Sequence, residues 1–185
     1  MTRVAVFGGS FNPPHVAHVL ACALVLSVED VDRLLVVPAY RHPFAKPLAP
    51  FEDRATMCEL AMAWMPRVEV SRVEEELGGE SRTLRTLERL SSAHPDWSLR
   101  LVIGADILAE APRWFGFDAI EKLAPPIVLG RPGFPASGAA ALLPEVSSTQ
   151  VRSAIARGAW DEVEKLVPRA VLAHARARGL YAAPE

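Results

Sequence analysis

Cysteine is scarce in this chain, which has only Cys22 and Cys58 among its 185 residues. Both lie in helical patterns and lack the short paired spacing of metal-binding cysteines. The two positions therefore predict buried free thiols in a reducing cytoplasm, and no cysteine-based metal site.

An excess of charge of one sign and long apolar runs are also lacking. The chain has 20 Lys and Arg against 22 Asp and Glu, a formal net charge of −2. This balance, without a basic stripe, gives no general attraction to nucleic acid or to an anionic membrane. The longest apolar segment, residues 16–28, is too short to cross a bilayer. We therefore expect no nucleic-acid partner, no membrane anchor and, because residues 1–3 lead directly into a strand, no signal peptide.

What the chain does have is a regular alternation of short apolar runs and helical patterns. Its length predicts one domain, and half of its residues are hydrophobic, enough for a sizeable core. The predicted strands cover residues 4–7, 33–38, 68–70, 99–103 and 126–129. The predicted helices cover residues 16–28, 51–64, 81–93, 114–123, 147–157 and 168–178. This order predicts an α/β fold, a doubly wound parallel sheet with helices on both faces.

The first predicted strand breaks into a loop that leads into the first helix. Gly8 and Gly9 end the strand, and His15 and His18 stand three residues apart where the helix begins. Glycine lets backbone N–H groups approach an anion, and a helix N-terminus adds partial positive charge. The loop therefore predicts a phosphate site faced by both imidazoles, although a structural turn with surface histidines is the alternative. It lacks the G-x-G-x-x-G fingerprint of hydride-transfer enzymes.

A second helix opening lies near the end of the chain. Ser147 or Ser148 is suited to the N-cap position, and Thr149 adds another hydroxyl. Arg152 lies one turn further on, where its guanidinium can hold a phosphate with two N–H groups. An ordinary cap with a solvated arginine would also explain this block. Together with the histidine loop, it predicts the second half of a polyphosphate site at the carboxyl ends of the strands.

Residues 8–18, Gly-Gly-Ser-Phe-Asn-Pro-Pro-His-Val-Ala-His, resemble the signature of the HxGH nucleotidyltransferases, Gly-Gly-Ser/Thr-Phe-Asp/Asn-Pro-x-His-x-Gly-His. Within that superfamily they are most similar to the bacterial nicotinate mononucleotide adenylyltransferases. Residues 146–152 resemble the second signature of these enzymes, Ile-Ser-Ser-Thr-x-Ile-Arg. The likeness extends from about residue 3 to residue 181, and it implies a Rossmann-like fold. The one departure in the first motif is Ala17, which stands where glycine is usual and would crowd the nucleotide.

The resemblance implies a set of residues that bind ATP. The catalytic residues would be His15, His18 and Arg152. The further ATP ligands would be Gly8, Gly9, Ser10, Phe11, Gly104, Asp106, Ser148 and Thr149. Asp106 follows a predicted strand, and its carboxylate would accept hydrogen bonds from a ribose. Mg²⁺ would be bound mainly through ATP, and no protein-held metal site is expected.

The resemblance also implies a site for the acceptor nucleotide, formed by Lys46, Thr83, Leu84 and Trp114. Trp114 matches the tryptophan that stacks on the pyridine ring in the family, and core packing is the alternative for it. Residues 81–87 resemble the segment Ser-Tyr-Thr-x-x-Thr-Leu, with Arg82 in place of tyrosine. Ser81 would equally serve as a plain N-cap. Arg82 or Arg85 would favour a carboxylate, and hence nicotinate over nicotinamide.

The implied activity is adenylyl transfer from ATP to nicotinate mononucleotide in cytoplasmic NAD biosynthesis. Two alternatives stay open. One is another HxGH nucleotidyltransferase, such as phosphopantetheine adenylyltransferase or a cytidylyltransferase, and the other is a nucleotide-binding module without catalysis. No residue pattern indicates a covalent nucleophile, so the expected chemistry is direct in-line transfer. We also expect residues 1–185 to form a single domain, with the helices of about 147–181 packed as a C-terminal subdomain, and residues 39–50 to be a candidate lid.

Overall fold

The computed structural model describes residues 1–41, 47–108, 114–130 and 143–183. Within them, five strands form one sheet, and every neighbouring pair of strands is parallel. The strands are β1 (Thr2–Gly9), β2 (Arg33–Pro38), β3 (Val68–Val70), β4 (Trp97–Gly104) and β5 (Pro126–Leu129). Their order across the sheet is β3-β2-β1-β4-β5. The predicted parallel sheet is confirmed.

Eight helices connect and flank these strands in the described part of the chain. They are α1 (Val16–Val28), α2 (Phe51–Met62), α3 (Val73–Leu77), α4 (Thr83–Ala93), α5 (Ala105–Leu108), α6 (Phe117–Leu123), α7 (Ser148–Ala156) and α8 (Arg169–Ala177). A short 3₁₀ turn, Trp160–Val163, lies between α7 and α8. The sequence did not predict α3 and α5, because four or five residues are too few to show a helical period.

Alternate strand residues face opposite sides of the sheet and build two hydrophobic cores. On one face, Ala5 and Val36 share a core with side chains of α1, α2, α7 and α8. On the other face, Val4 and Leu35 share a core with side chains of α3, α4 and α6. These two cores confirm the predicted doubly wound architecture with helices on both faces.

The last helices bury their apolar side chains in the first of these cores. Val151 and Ile155 of α7, Val163 of the 3₁₀ turn and Val171 of α8 are each at most 2 % exposed. All four belong to the cluster that α1 and α2 also occupy. Residues 147–181 therefore pack into the core of the domain, and their forming a C-terminal subdomain stays a prediction.

The strand pairing leaves a crevice at the carboxyl edge of the sheet. The ladder between β1 and β4 ends at Val6 and Leu101. Beyond that point, β1 pairs only with β2, as far as Gly9, and β4 pairs only with β5, as far as Gly104. The strand order reverses at this same boundary, which is where parallel sheets bind their ligands.

Two predictions from composition can be compared with the described residues. Cys22 and Cys58 are buried and free, as predicted. Burial raises the pKa of Cys22 to about 12, so this thiol stays protonated and unreactive. Across the described ranges, no helix is both long enough and apolar enough to span a membrane.

Candidate active site

The loop between β1 and α1 forms one wall of the crevice. A Cβ on Gly8 would have no atom within 4 Å, so the space beside this residue is open. A Cβ on Gly9 would lie only 3.2 Å from two ring carbons of Phe11. Phe11 is 1 % exposed and has a positive φ of 46°, which costs free energy in a residue other than glycine. The surrounding structure must therefore hold the loop in this conformation.

Both histidines lie where α1 begins. His15 is the N-cap residue and His18 is the third residue of the helix. Their rings stack with centroids 3.8 Å apart, and the His15 backbone N–H donates to Nδ1 of His18 at 3.1 Å. Because Nδ1 of His18 accepts this bond, the neutral ring carries its proton on Nε2. The structure thus places the two rings together and makes Nε2 of His18 a donor suited to a phosphate oxygen.

The N-terminus of α7 is fixed by a capping box. The Gln150 backbone N–H donates to the Ser147 hydroxyl at 3.2 Å, and the Ser147 backbone N–H donates to the Gln150 side-chain oxygen at 2.9 Å. These two bonds satisfy donors that a helix start leaves without a partner. Of the two serines predicted as N-cap candidates, Ser147 is the cap.

The same helix start packs directly on the histidine loop. The Ser148 hydroxyl donates to the Pro13 carbonyl oxygen at 2.8 Å. The Arg152 guanidinium donates to the Asn12 carbonyl oxygen at 2.8 Å and to the Thr149 hydroxyl at 3.3 Å. Two helix N-termini and one guanidinium therefore meet at residues 12–15, and together they can hold an anion with several negative charges.

The residues predicted for the adenosine side lie at the end of β4. Gly104 is the last residue of that strand, and it pairs with Leu129 of β5. Asp106 follows in the first turn of α5 and is partly buried. Because β4 lies across the crevice from β1, the structure places this carboxylate on the wall opposite the histidine loop.

The residues predicted for the acceptor come from two segments that lie in contact. A Cβ on Gly116 would come 2.6 Å from the Leu84 side chain, and Gly116 has a φ of +71°, so a larger residue there would be strained. Trp114, two residues earlier, is half-buried and meets Phe117 edge to face at 6.5 Å. Thr83 is the first residue of α4. Lys46, the fourth predicted acceptor residue, lies outside the described residues.

The start of α4 bears on two alternatives that the sequence left open. The N-cap residue is Arg82 and not Ser81. Arg85 donates at 2.9 Å to the carbonyl oxygens of both Leu77 and Gly78, so its guanidinium closes the turn after α3. Arg82 instead pairs with exposed Glu80 and lies 5.9 Å from the exposed Phe115 ring. Of the two arginines, only Arg82 stays a candidate for the substrate carboxylate.

Sequence analysis missed Arg54, whose side chain is buried beside the histidine loop with 1 % of its surface exposed. Its guanidinium donates to four carbonyl oxygens, those of Ser10 (3.0 Å), Ala39 (2.7 Å), Tyr40 (3.4 Å) and Ala49 (2.9 Å). Burial lowers the pKa of Arg54. One signal could have found it, since Arg54 stands among the apolar positions of a predicted helix. An arginine that is buried at such a position needs partners for its guanidinium.

A second missed group joins α2 to α8. Asp53 is 4 % exposed, and one of its oxygens accepts from Nε2 of His174 at 2.9 Å and from Nε of Arg178 at 3.0 Å. Burial by itself would raise the pKa of Asp53, but the bonds from Arg178 and His174 outweigh it and keep that pKa below its ordinary value.

We expect Asp53→Asn to lower the free energy of unfolding by roughly 1–2 kcal/mol at pH 7, because two partly buried bonds lose their charged acceptor. An aspartate whose pKa is lowered by folding stabilises the fold above its unfolded pKa of about 3.9 and loses this effect as pH falls through the folded value. The difference in unfolding free energy between Asp53→Asn and wild type should therefore become smaller at acidic pH. Urea unfolding at several pH values measures this difference in unfolding free energy, with Asp118→Asn, at an exposed aspartate of α6, as the control. A difference in unfolding free energy that does not change with pH would contradict a stabilising role of the ionised Asp53 carboxylate.

The site described above has the form of a nucleotidyltransferase site, and the comparison with protein families agrees. The model of a family described as cytidylyltransferase-like matches residues 6–154. That range runs from β1, through the histidine loop and the β4 edge, into α7. The class of protein is therefore defined by the same elements that build the crevice.

Curated relatives match the chain along almost its whole length. A protein of Anaeromyxobacter dehalogenans named probable nicotinate-nucleotide adenylyltransferase is 47 % identical, and the alignment covers 97 % of this chain and 96 % of that protein. A protein of Myxococcus xanthus with the same name is 43 % identical, with coverages of 97 % and 94 %. The chain therefore belongs to the nicotinate-nucleotide adenylyltransferase family.

Solved structures agree at the level of the fold. The nicotinic acid mononucleotide adenylyltransferase of Plasmodium falciparum, solved in complex with NaAD, superposes with a TM-score of 0.84. The superposition covers 98 % of each chain, at 16 % sequence identity. At this identity the likeness supports the doubly wound architecture and carries no statement about individual residues.

Proposed function

We propose that this chain transfers the adenylyl group of ATP to nicotinate mononucleotide and forms nicotinate adenine dinucleotide in NAD biosynthesis. A 5′-phosphate oxygen of the mononucleotide attacks the α-phosphorus of ATP. The bond from that phosphorus to the bridging oxygen breaks, and its electrons leave with pyrophosphate. The observation that carries the proposal is the contact of the α7 start and Arg152 with the histidine loop, in a chain whose full-length relatives have this name.

The reaction makes few demands for acid–base chemistry. The attacking phosphate is already an anion at neutral pH, so it needs no strong base. The difficulty is to hold two anionic substrates in line and to neutralise the charge that develops during transfer. A site built from helix N-termini, imidazoles and a guanidinium suits that task.

The histidine loop and the start of α7 divide the triphosphate between them. In the histidine loop, Gly8, Gly9, Ser10 and Phe11 lead the backbone to the phosphates, and His15 and His18 contact the α- and β-phosphates. At the start of α7, backbone N–H groups at Ser148 and Thr149 and the guanidinium of Arg152 hold the β- and γ-phosphates, which depart as pyrophosphate. Gly104 and Asp106 receive the ribose of ATP.

Mg²⁺ enters the site as part of the ATP complex. In the described parts of the chain, no three His, Cys, Asp or Glu side chains are grouped closely enough to hold a metal ion. The donors that line the crevice are cationic or neutral and therefore match phosphate oxygens. We propose that phosphate oxygens and water hold the ion and that it lowers the negative charge of the triphosphate.

The mononucleotide would bind between the start of α4 and the turn at Trp114, with Thr83, Leu84 and Lys46 as its further contacts. The half-buried Trp114 would stack on the pyridinium, a contact favoured by dispersion and by cation–π attraction. The exposed guanidinium of Arg82 beside this turn would favour nicotinate, which carries a carboxylate, over nicotinamide.

We expect Trp114→Ala to raise KM for the mononucleotide about tenfold and to leave KM for ATP within about twofold, because stacking serves only the acceptor. Steady-state kinetics with each substrate varied in turn measures both constants. Trp64→Ala is the control, since Trp64 is 65 % exposed. An equal rise in both KM values would assign Trp114 to the core alone.

An acceptor panel tests the proposed reaction. Pyrophosphate release is measured with ATP·Mg²⁺ and nicotinate mononucleotide, nicotinamide mononucleotide or phosphopantetheine, and with CTP and a phosphorylated alcohol. The expected result is the highest kcat/KM for nicotinate mononucleotide. A higher value for phosphopantetheine or with CTP would favour another nucleotidyltransferase. Binding of ATP without turnover on any acceptor would favour a binding module.

The departure at Ala17 bears on that last alternative. Ala17 is 1 % exposed and belongs to the core shared by α1 and α2. Its methyl group packs against the protein core and does not point toward the nucleotide site. The missing glycine is therefore compatible with catalysis. Because ATP and mononucleotides are cytoplasmic metabolites, we propose that the enzyme acts in the cytoplasm.

A further inference from the structure

Asn12 is the point at which three distant parts of the chain contact the phosphate-binding loop. Its side-chain oxygen accepts from the Ala49 backbone N–H at 3.1 Å and from the Tyr181 hydroxyl at 2.9 Å. Its side-chain nitrogen donates to the Pro47 carbonyl oxygen at 3.4 Å, and its own carbonyl oxygen accepts from Arg152. We call this set of five residues the Asn12 junction. With 1 % of its surface exposed, Asn12 cannot replace these partners with water.

Tyr181 comes to this junction from the segment that follows α8, 169 residues away in sequence. It has a φ of +65°, a conformation that costs free energy in any residue but glycine. Leu180 and Tyr181 both pack against the core of α1 and α2, which offsets that cost. Burial raises the pKa of Tyr181, so its phenol stays protonated and donates to Asn12 throughout the working pH range.

The junction lies beside the groups that the reaction uses. Asn12 precedes His15 by three residues, and its carbonyl oxygen anchors the Arg152 guanidinium. Two further residues hold the same stretch, Arg54 through the Ser10 carbonyl and Ser148 through the Pro13 carbonyl. A displacement of the histidine loop would therefore also displace the groups that hold the phosphates. A misplacement of catalytic groups by about 1 Å can lower the rate by a large factor.

We propose that Tyr181 is a positioning residue for nucleotidyl transfer, acting through Asn12 to set the histidine loop and the anchor of Arg152. The inference rests on the proposed function and adds to it that the segment after α8 completes the active site. Tyr181 bonds to Asn12 through its hydroxyl, so Tyr181→Phe, which removes that one oxygen atom, tests the proposal.

The test compares Tyr181→Phe with the wild-type enzyme. We expect kcat to fall about tenfold while KM for the mononucleotide stays within about twofold, because the loss lies in alignment. The Kd for α,β-methylene ATP, measured by calorimetry, should rise about fivefold, because a less firmly held histidine loop must be ordered when the triphosphate binds. Val171→Ala in α8 is the control, since it removes buried side-chain volume from the core on which Tyr181 packs and leaves the Tyr181 hydroxyl in place. It should lower Tm and leave kcat unchanged.

A second comparison shows whether Tyr181 acts through Asn12. In an Asn12→Ala background, Tyr181→Phe should have no further effect on kcat or on the Kd of the ATP analogue. Wild-type kcat and Kd in Tyr181→Phe, or an undiminished effect in the Asn12→Ala background, would overturn the proposal. Wild-type protein that is inactive with nicotinate mononucleotide would instead contradict the proposed function, and binding of the ATP analogue would still decide the role of Tyr181.

Discussion

Replacement of His18 by alanine is expected to lower kcat about 100-fold or more and to leave Tm close to the wild-type value. The Nε2 proton of this ring is directed by the bond that Nδ1 accepts from the His15 backbone, so the ring is a prepared donor for a phosphate. A donor of this kind is most effective when negative charge develops during transfer. His18 is partly buried and its ring contacts those of His15 and Phe11, so we expect a fall in Tm that is small beside the loss of kcat.

Steady-state kinetics and thermal unfolding of His18→Ala measure both quantities. His94→Ala is a matched control, because His94 stacks on Trp97 at 3.7 Å, where β4 begins and far from its carboxyl end. That variant should keep wild-type kcat. Near-normal turnover in His18→Ala would remove this imidazole from the chemistry, and a large fall in Tm would show that the ring supports the fold instead.

The second large effect is expected at Arg152. Arg152→Ala should lower kcat by about 10²–10³-fold, because pyrophosphate would leave without its main cationic partner. Arg152→Lys keeps the charge, but an ammonium group lacks the planar fork that spans the Asn12 carbonyl and the Thr149 hydroxyl. We therefore expect the lysine variant to recover only part of the rate.

Arg157→Lys is the matched control for this pair of variants. Arg157 follows the same helix, but it is bonded to Ser153 and Glu162 on the exposed side of α7. Kinetics with ATP varied at saturating mononucleotide separate kcat from KM. Full activity in Arg152→Lys would show that charge alone suffices, and full activity in Arg152→Ala would remove Arg152 from the site.

Much of the fold could be predicted from the sequence because its signals are local. The bounds of α1 and β2 are those predicted, since proline, apolar runs and acidic residues mark their ends. The capping box at Ser147 likewise needs only residues within one turn. The prediction of helix from residue 114 was wrong, because Gly116 adopts a left-handed conformation against Leu84 and the helix begins at Phe117.

The parts of the site that were missed depend on partners far away in sequence. Arg54 and Asp53 are adjacent in α2, but they bond to the histidine loop and to α8 respectively. No local pattern assigns such partners, since a polar residue in a helix is usually solvated. The role of Asn12 as a junction was hidden for the same reason, although the residue itself lies in the first motif.

The central claim is that the starts of α1 and α7 bind one triphosphate between them. A crystal structure with α,β-methylene ATP and Mg²⁺ tests it most directly. The expected result is a triphosphate with one oxygen about 3 Å from Nε2 of His18 and another about 3 Å from the Arg152 guanidinium. A triphosphate that contacts only one of these groups, or that lies outside the crevice between β1 and β4, would contradict the claim.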